Sequence, residues 1–302
     1  MTGARLDRAA VKVVTFGTGL LRTTVSPADD GGSVWRRVCG PRCPQPFSSV
    51  SSHLRRELAS LGESPGTRLL IGEELVDGSR VYRPGRDRSV AHQFLFAEPE
   101  ALALESVFRG YGALLAAVHQ LPCPGDVRRP ARGLVRLRHW LAGDAPLPDA
   151  AEAAEVVSAR LGQDRWTVLR EWCEQALDPP DPVLAHGAPG LGSLVLDPGS
   201  STAGLLTGED VCRAPWQFDI GWVLGELIEF RWRLPSGAGD GPAWQRLADA
   251  LFEGYGCDLG KAWNRWAALR IALHQHDFAA YVGVHRRELN LYAGLLGRLI
   301  EQ

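Results

Sequence analysis

Lysine is nearly missing from this chain. Of its 33 basic residues only Lys12 and Lys261 are lysines, and the rest are arginines. A reaction that needs a lysine ammonium has two candidates at most, whereas forked guanidinium groups suited to carboxylate or phosphate are plentiful. The arginine excess, with abundant Ala, Gly and Pro, is what a GC-rich bacterial genome produces. Long apolar runs are missing too. No stretch of about 18 apolar residues occurs, so no membrane span is expected. The opening MTGARLDRAAVKVV lacks the apolar segment of a secretion signal. Six cysteines among 302 residues do not make a disulfide framework. Cys39 and Cys43 have a spacing that some zinc sites use, but no second Cys or His pair accompanies them, and no metal is expected. The net charge of -2 gives no global pull toward nucleic acid or an anionic membrane. The expectation is a reduced, cytoplasmic protein with neither nucleic acid nor membrane as partner.

What is present is ordinary in amount and informative in order. Hydrophobic residues make up 45% and charged residues 23%, enough for a sizeable core. Residues 10 to 26, AVKVVTFGTGLLRTTVS, read as strand, glycine turn, strand, and GGSVWRRVCG as a third strand. SSVSSHLRRELASLG carries the serines, spaced leucines and final glycine of a short helix. TRLLIGEELVDGSRVYRP predicts a hairpin turning at Asp77-Gly78. From PEALALESVFRGYGALLAAVHQL onward the texture turns helical, broken by a short β region around 184 to 214. The fold class is α+β, with a β-rich lobe over 1–90 and a mostly helical lobe over 91–302.

Within that β region, LAHGAPGLGSLVLD is followed by GLLTGEDVCRAPWQFDIG. In pattern and order this resembles the aminoglycoside phosphotransferase-like kinases, a branch of the protein-kinase-like two-lobe fold. Their catalytic loop reads His-Gly-Asp, four residues, Asn, then an apolar strand, and a second strand ends in Asp. The resemblance is densest over 184–221. It implies that His186, Gly187 and Asp219 brace the loop. It also implies that the attacking hydroxyl's base would stand at Ala188, and the two magnesium-binding side chains at Ser193 and Thr207. None of these three is a carboxylate, so ordinary phosphoryl transfer is not expected. The family's strand lysine corresponds to Arg36, with Glu57 as its helix partner. Displaced Glu209 and Asp210 are the acids left to hold a metal. No cofactor is expected, a magnesium nucleotide only if binding has outlasted the chemistry.

Two further groups are candidates. Arg80, Arg83, Arg86 and Arg88 cluster near the expected hinge between the lobes, where kinases bind adenine through backbone groups. They suit an acidic peptide or the carboxylates of a partner, or simply form a solvated strand edge. Near the C-terminus His274, Asp277, Tyr281 and His285 recur at helical spacing and, with His186, are candidate acid-base groups. Three readings follow. One is a pseudokinase that binds a peptide or a partner enzyme of a bacterial biosynthetic complex. Another is a non-kinase enzyme on the same scaffold, such as a cyclase component of the lanthipeptide or thioamitide pathways forming a thioether ring. The third is an atypical small-molecule kinase.

Overall fold

Side-chain parity and turn chemistry build the first lobe. The computed structural model describes residues 13–96, 101–127, 129–197, 201–233 and 241–302, and Lys12 lies outside them. Strands β1 (Val14–Gly17), β2 (Leu21–Pro27) and β3 (Ser33–Cys39) form an antiparallel meander. Ser33, Trp35 and Arg37 face inward on β3 while Arg36 faces out, because successive strand side chains alternate. Helix α1 (Ser52–Ser60) begins where the Ser51 hydroxyl accepts from the Leu54 N–H, and it buries Leu54 and Leu58. Each buried leucine contributes about 1.5–3 kcal/mol. After β4 (Glu63–Ser64) and β5 (Thr67–Ile71), the short β6 (Glu73–Glu74) and β7 (Arg80–Tyr82) form the expected hairpin around Gly78. The sheet order is β1-β2-β3-β7-β6.

The second lobe is carried by helices. These are α2 (Val90–Phe96), α3 (Ala101–Gln120), α4 (Arg132–Ala142), α5 (Pro148–Leu161) and α6 (Gln163–Leu177). Helices α2 and α4 were not foreseen. In α4, Leu134, Leu137, Trp140 and Leu141 make the buried stripe and Gly143 closes it in a left-handed conformation. Strands β8 (Val183–Ala185), β9 (Leu194–Leu196), β10 (Ala203–Thr207) and β11 (Cys212–Ala214) precede α7 (Trp216–Arg233). Helices α8 (Gly241–Tyr255), α9 (Trp263–Tyr281) and α10 (Arg286–Ile300) follow, with a single 3-10 turn, Gly260–Ala262, before α9.

The lobes share a sheet. Strand β10 pairs in parallel with β5, Leu205 opposite Leu69, while its other edge pairs with β9. Asp197 reinforces the seam by accepting two bonds from the Arg68 guanidinium at 2.5 and 3.0 Å. The loop between β8 and β9 is thereby fixed against the first lobe. Among the described residues no helix is long and apolar enough to cross a membrane.

Candidate functional site

The cleft between the lobes holds a cavity of about 410 Å³, floored by residues 186–193 and roofed by the β1–β2 turn. Its floor is braced from beneath. The Asp219 carboxylate, 0% exposed, accepts from the backbone N–H of His186 at 2.7 Å and of Gly187 at 3.0 Å. It also contacts His119 Nε2 at 3.0 Å. Burial alone would push the Asp219 carboxyl up, but His119 and these donors outweigh it and hold it below the usual range. His186 Nε2 meets the Leu206 carbonyl at 3.0 Å, and burial pushes its imidazole toward the neutral form. Gly187 has φ +90°, and a Cβ there would lie 1.9 Å from the Asp210 carbonyl oxygen, so only glycine fits. Tyr111 donates to the Pro189 carbonyl, and Glu226 accepts from the Leu191 N–H at 2.6 Å.

Above this floor stand the positions that the resemblance assigned to the base and the metal. Ala188 lines the cavity with a methyl group. Ser193 accepts from Arg37 at 2.9 Å. Thr207 does not face the cavity. It is buried, and its hydroxyl donates to the Leu205 carbonyl. Glu209 and Asp210 do reach the cleft, but each carries an arginine. Arg37, 4% exposed, lies 3.4 Å from both Glu209 carboxylate oxygens and also donates to the Gly192 carbonyl at 2.8 Å. Tyr82 donates to Glu209 at 2.8 Å. Burial, and then the Glu209 charge, push the Tyr82 phenol well above its usual range. Arg132 binds Asp210 at 3.0 Å and the Gln45 carbonyl at 2.6 Å.

The assignment of Arg36 and Glu57 to the nucleotide cleft is therefore corrected. Arg36 points to the outer face, where it pairs with Asp77 and bonds Ser79, and Glu57 is exposed beside His53. The inward cation is Arg37, one residue on. The signal was available in the parity of β3, since a residue two positions from a buried tryptophan shares its face. The arginines lining the cavity are Arg37, Arg132 and Arg136. Lys261 sits exposed on the 3-10 turn.

The residues present do not fit the magnesium nucleotide that the resemblance implies. Magnesium demands near-octahedral oxygen ligation, charge-balanced by carboxylates. Here both carboxylates are neutralised by guanidinium groups, and Ser193 is engaged. Among the described residues no three His, Cys, Asp or Glu side chains converge. The hinge is engaged as well. The Trp35 indole, 1% exposed, packs with Val25, Tyr82, Val195 and Leu206 and donates Nε1–H to the Arg86 carbonyl at 2.9 Å.

The arginine cluster divides. Arg80 is only 1% exposed, donates to the Ser48 carbonyl and pairs with Glu74, so it is structural and not part of a surface patch. Arg83, Arg86 and Arg88 are exposed. The helical stripe holds for three of its four members. His274, Asp277 and Tyr281 line the cavity, but α9 ends at Tyr281 and His285 lies exposed at the start of α10, outside the cavity lining. Asp277 is gripped by Arg136 at 3.0 and 2.7 Å and by His276 at 2.7 Å. Burial opposes its ionisation, yet Arg136 and His276 hold its carboxyl far below the ordinary range. Burial pushes the Tyr281 phenol up to about 12, so neither group exchanges a proton near neutrality. Cys212, packed under Gly187, has its thiol pushed up by burial.

Several solved structures share this architecture. An amicoumacin kinase in complex with AMP-PNP, calcium and Ami superposes with a TM-score of 0.59 at 14% identity, covering 96% of this chain and 87% of that one. An ethanolamine kinase of Plasmodium vivax gives 0.56 at 10% identity over 97% of this chain and 83% of that one. LicA in complex with AMP gives 0.56 at 8% identity over 98% and 94%. No family model matches the chain, and no curated protein is detectably similar in sequence. The likeness establishes the fold alone, the two-lobed arrangement that this chain shares with these kinases.

Proposed function

We propose that this chain is a pseudokinase whose cleft and hinge bind a peptide or a partner protein, as a component of a bacterial biosynthetic enzyme complex. The observation that carries the reading is the pair of internal ion pairs, Arg37 with Glu209 and Arg132 with Asp210. They put fixed guanidinium charge where a kinase needs divalent metal, and removing either arginine would strand a buried or half-buried carboxylate. Trp35 supports the same reading, since its indole takes a hinge carbonyl and fills the apolar space between the sheets. The binding half of the reading is supported by Arg83, Arg86 and Arg88, three exposed guanidinium groups with no salt bridge among the described residues, suited to carboxylates of an acidic segment.

Two measurements test it. Radiolabelled phosphate transfer from ATP or GTP, with magnesium or manganese, is expected to be absent. Thermal unfolding is expected to be unmoved by either nucleotide and raised by an acidic Glu/Leu peptide, because a ligand that binds the native state stabilises it. Metal-dependent transfer that disappears on Glu209→Gln or Asp210→Asn would sink the proposal. A nucleotide shift without a peptide shift would sink its binding half.

A further inference from the structure

One strand of the first lobe is left uncovered, and the rows across the sheet locate the gap. Tyr82, Trp35, Val25 and Val14 are paired neighbours on β7, β3, β2 and β1, so they share one face. The first three are buried, whereas Val14 is 42% exposed. The next row repeats the pattern. Arg37 and Thr23 are buried, and Phe16, beside Thr23 on β1, is 49% exposed. The inner face of the sheet is therefore covered as far as β2 and open at β1. The edge of β1 is open too. It pairs with β2, and its other side meets no strand among the described residues. Such an edge presents a row of unpaired backbone N–H and C=O groups. Opposite the open end runs segment 85–92, and between the two lies a slot of about 580 Å³. Val14, Phe16, Val25 and Trp35 supply its apolar wall, and its charged or titratable groups are Arg86, Asp87, Arg88 and His92. Arg86 and Arg88 are exposed and have no salt bridge among the described residues, so two guanidinium groups stand against one carboxylate. Phe16 also lines the cleft cavity.

We propose that the free edge of β1 takes an extended acidic segment of a partner protein as an added strand. The inference rests on the reading that this chain binds a peptide or partner, and it gives that contact a place and a chemistry. In strand addition, main-chain hydrogen bonds supply affinity and alternate side chains supply specificity. An added strand continues the rows of the sheet, so every second side chain falls on the slot side. One aromatic side chain there covers Val14 and Phe16. Carboxylates two residues before and after it share its face and meet Arg86 and Arg88. The segment therefore reads Glu-x-Phe-x-Glu. Charge argues against two other occupants. Residues 1–12, which precede β1 in the sequence, carry Arg5, Arg8 and Lys12 against Asp7, and a second copy brings the same arginines, so like charges oppose both.

The probe is acetyl-Thr-Glu-Thr-Phe-Thr-Glu-Thr-amide, titrated into the full chain by calorimetry beside a counterpart with Lys for Glu. The acidic peptide is expected to bind and the basic one not. Phe16→Ser should weaken binding about ten-fold, by loss of apolar contact. Arg86→Glu combined with Arg88→Glu should weaken it by more than about ten-fold, because repulsion replaces attraction. Thermal midpoints without peptide report whether these variants keep the fold. A further measurement needs no variant. Methyl groups on alternate backbone nitrogens of the peptide should abolish binding in one phase, where those nitrogens face β1, and spare it in the other. Equal affinities in the two phases, or affinity unchanged in both variants, overturn the inference. So does a chain that is dimeric by light scattering and loses its dimer on Phe16→Ser, which would make a second copy the occupant. If an acidic Glu/Leu peptide binds and this one does not, the inference falls and the peptide-binding reading stands. If neither binds, both fall.

Discussion

The floor of the cleft and the positions just above it make an instructive pair. Both belong to the segment 186–219, and both resemble the same family pattern. The floor keeps His186, Gly187 and Asp219, with every hydrogen bond of the brace in place. Above it stand Ala188 and Ser193, and the nearby acids Glu209 and Asp210 pair with Arg37 and Arg132. The two regions do different physical work. A brace buried in the core stabilises the fold whatever the cleft does. Carboxylates that hold a metal stabilise only the liganded state. Here Glu209 and Asp210 each have an internal arginine partner, so that the two pairs belong to the scaffold.

Substitutions can break this comparison. The largest effect is expected at Asp219. Asp219→Ala removes the acceptor of two backbone N–H groups and the His119 partner at a fully buried site, and should cost about 3–5 kcal/mol, read by urea unfolding. Next comes the ion pair above the floor. Arg37→Ala leaves Glu209 buried with Tyr82 as its remaining donor and should cost about 3 kcal/mol. Combining Arg37→Met with Glu209→Gln should recover most of that loss, because the amide still accepts from Tyr82. A double-mutant cycle measures the coupling. A loss in Arg37→Ala within experimental error would mean that the pair is not structural.

A smaller effect concerns pH. The folded-state carboxyl of Asp277 is depressed by Arg136 and His276, so its contribution to stability is complete above the unfolded carboxylate pKa. That contribution is lost as pH falls below about 4 toward the folded value. Arg136→Met should therefore lower stability at pH 7 and flatten the acid side of the stability profile, as measured by thermal midpoints between pH 7 and pH 3. The smallest effect expected is none. Ala188→Asp puts a carboxylate where the resemblance expects the base, yet phosphate transfer should stay at background, since Ser193 and Thr207 still bring no charge to a metal. Transfer gained by that single change would show that the two regions differ by one residue only.

Much of the fold was legible because it rests on local rules. Strand alternation, the Ser51 cap, the Asp77-Gly78 turn and the leucine spacing of α1 are consequences of short-range geometry. The brace was legible too, because His186 and Gly187 are adjacent and Asp219 sits at a recognisable distance from them. What failed did so where a long-range partner decides. Arg36 and Arg37 are neighbours with the same chemistry, and only the Ser193 and Glu209 contacts make Arg37 the inward one. Arg80 was grouped with Arg83, Arg86 and Arg88 by sequence proximity, but strand parity buries it beneath Ser48 and Phe47. His285 followed the helical period beyond the point where α9 stops.

The sequence by itself determined the resemblance of residues 184–221 to a kinase loop and the lack of a carboxylate at Ala188, Ser193 and Thr207. Only the tertiary structure decided what replaced them. Arg37 meets Glu209, Arg132 meets Asp210 and His274 meets Glu229 across separations of tens to hundreds of residues. No periodicity encodes such pairings. A charge gains or loses its function according to which opposite charge shares its low-dielectric surroundings, and that is settled only when residues far apart in the chain pack together.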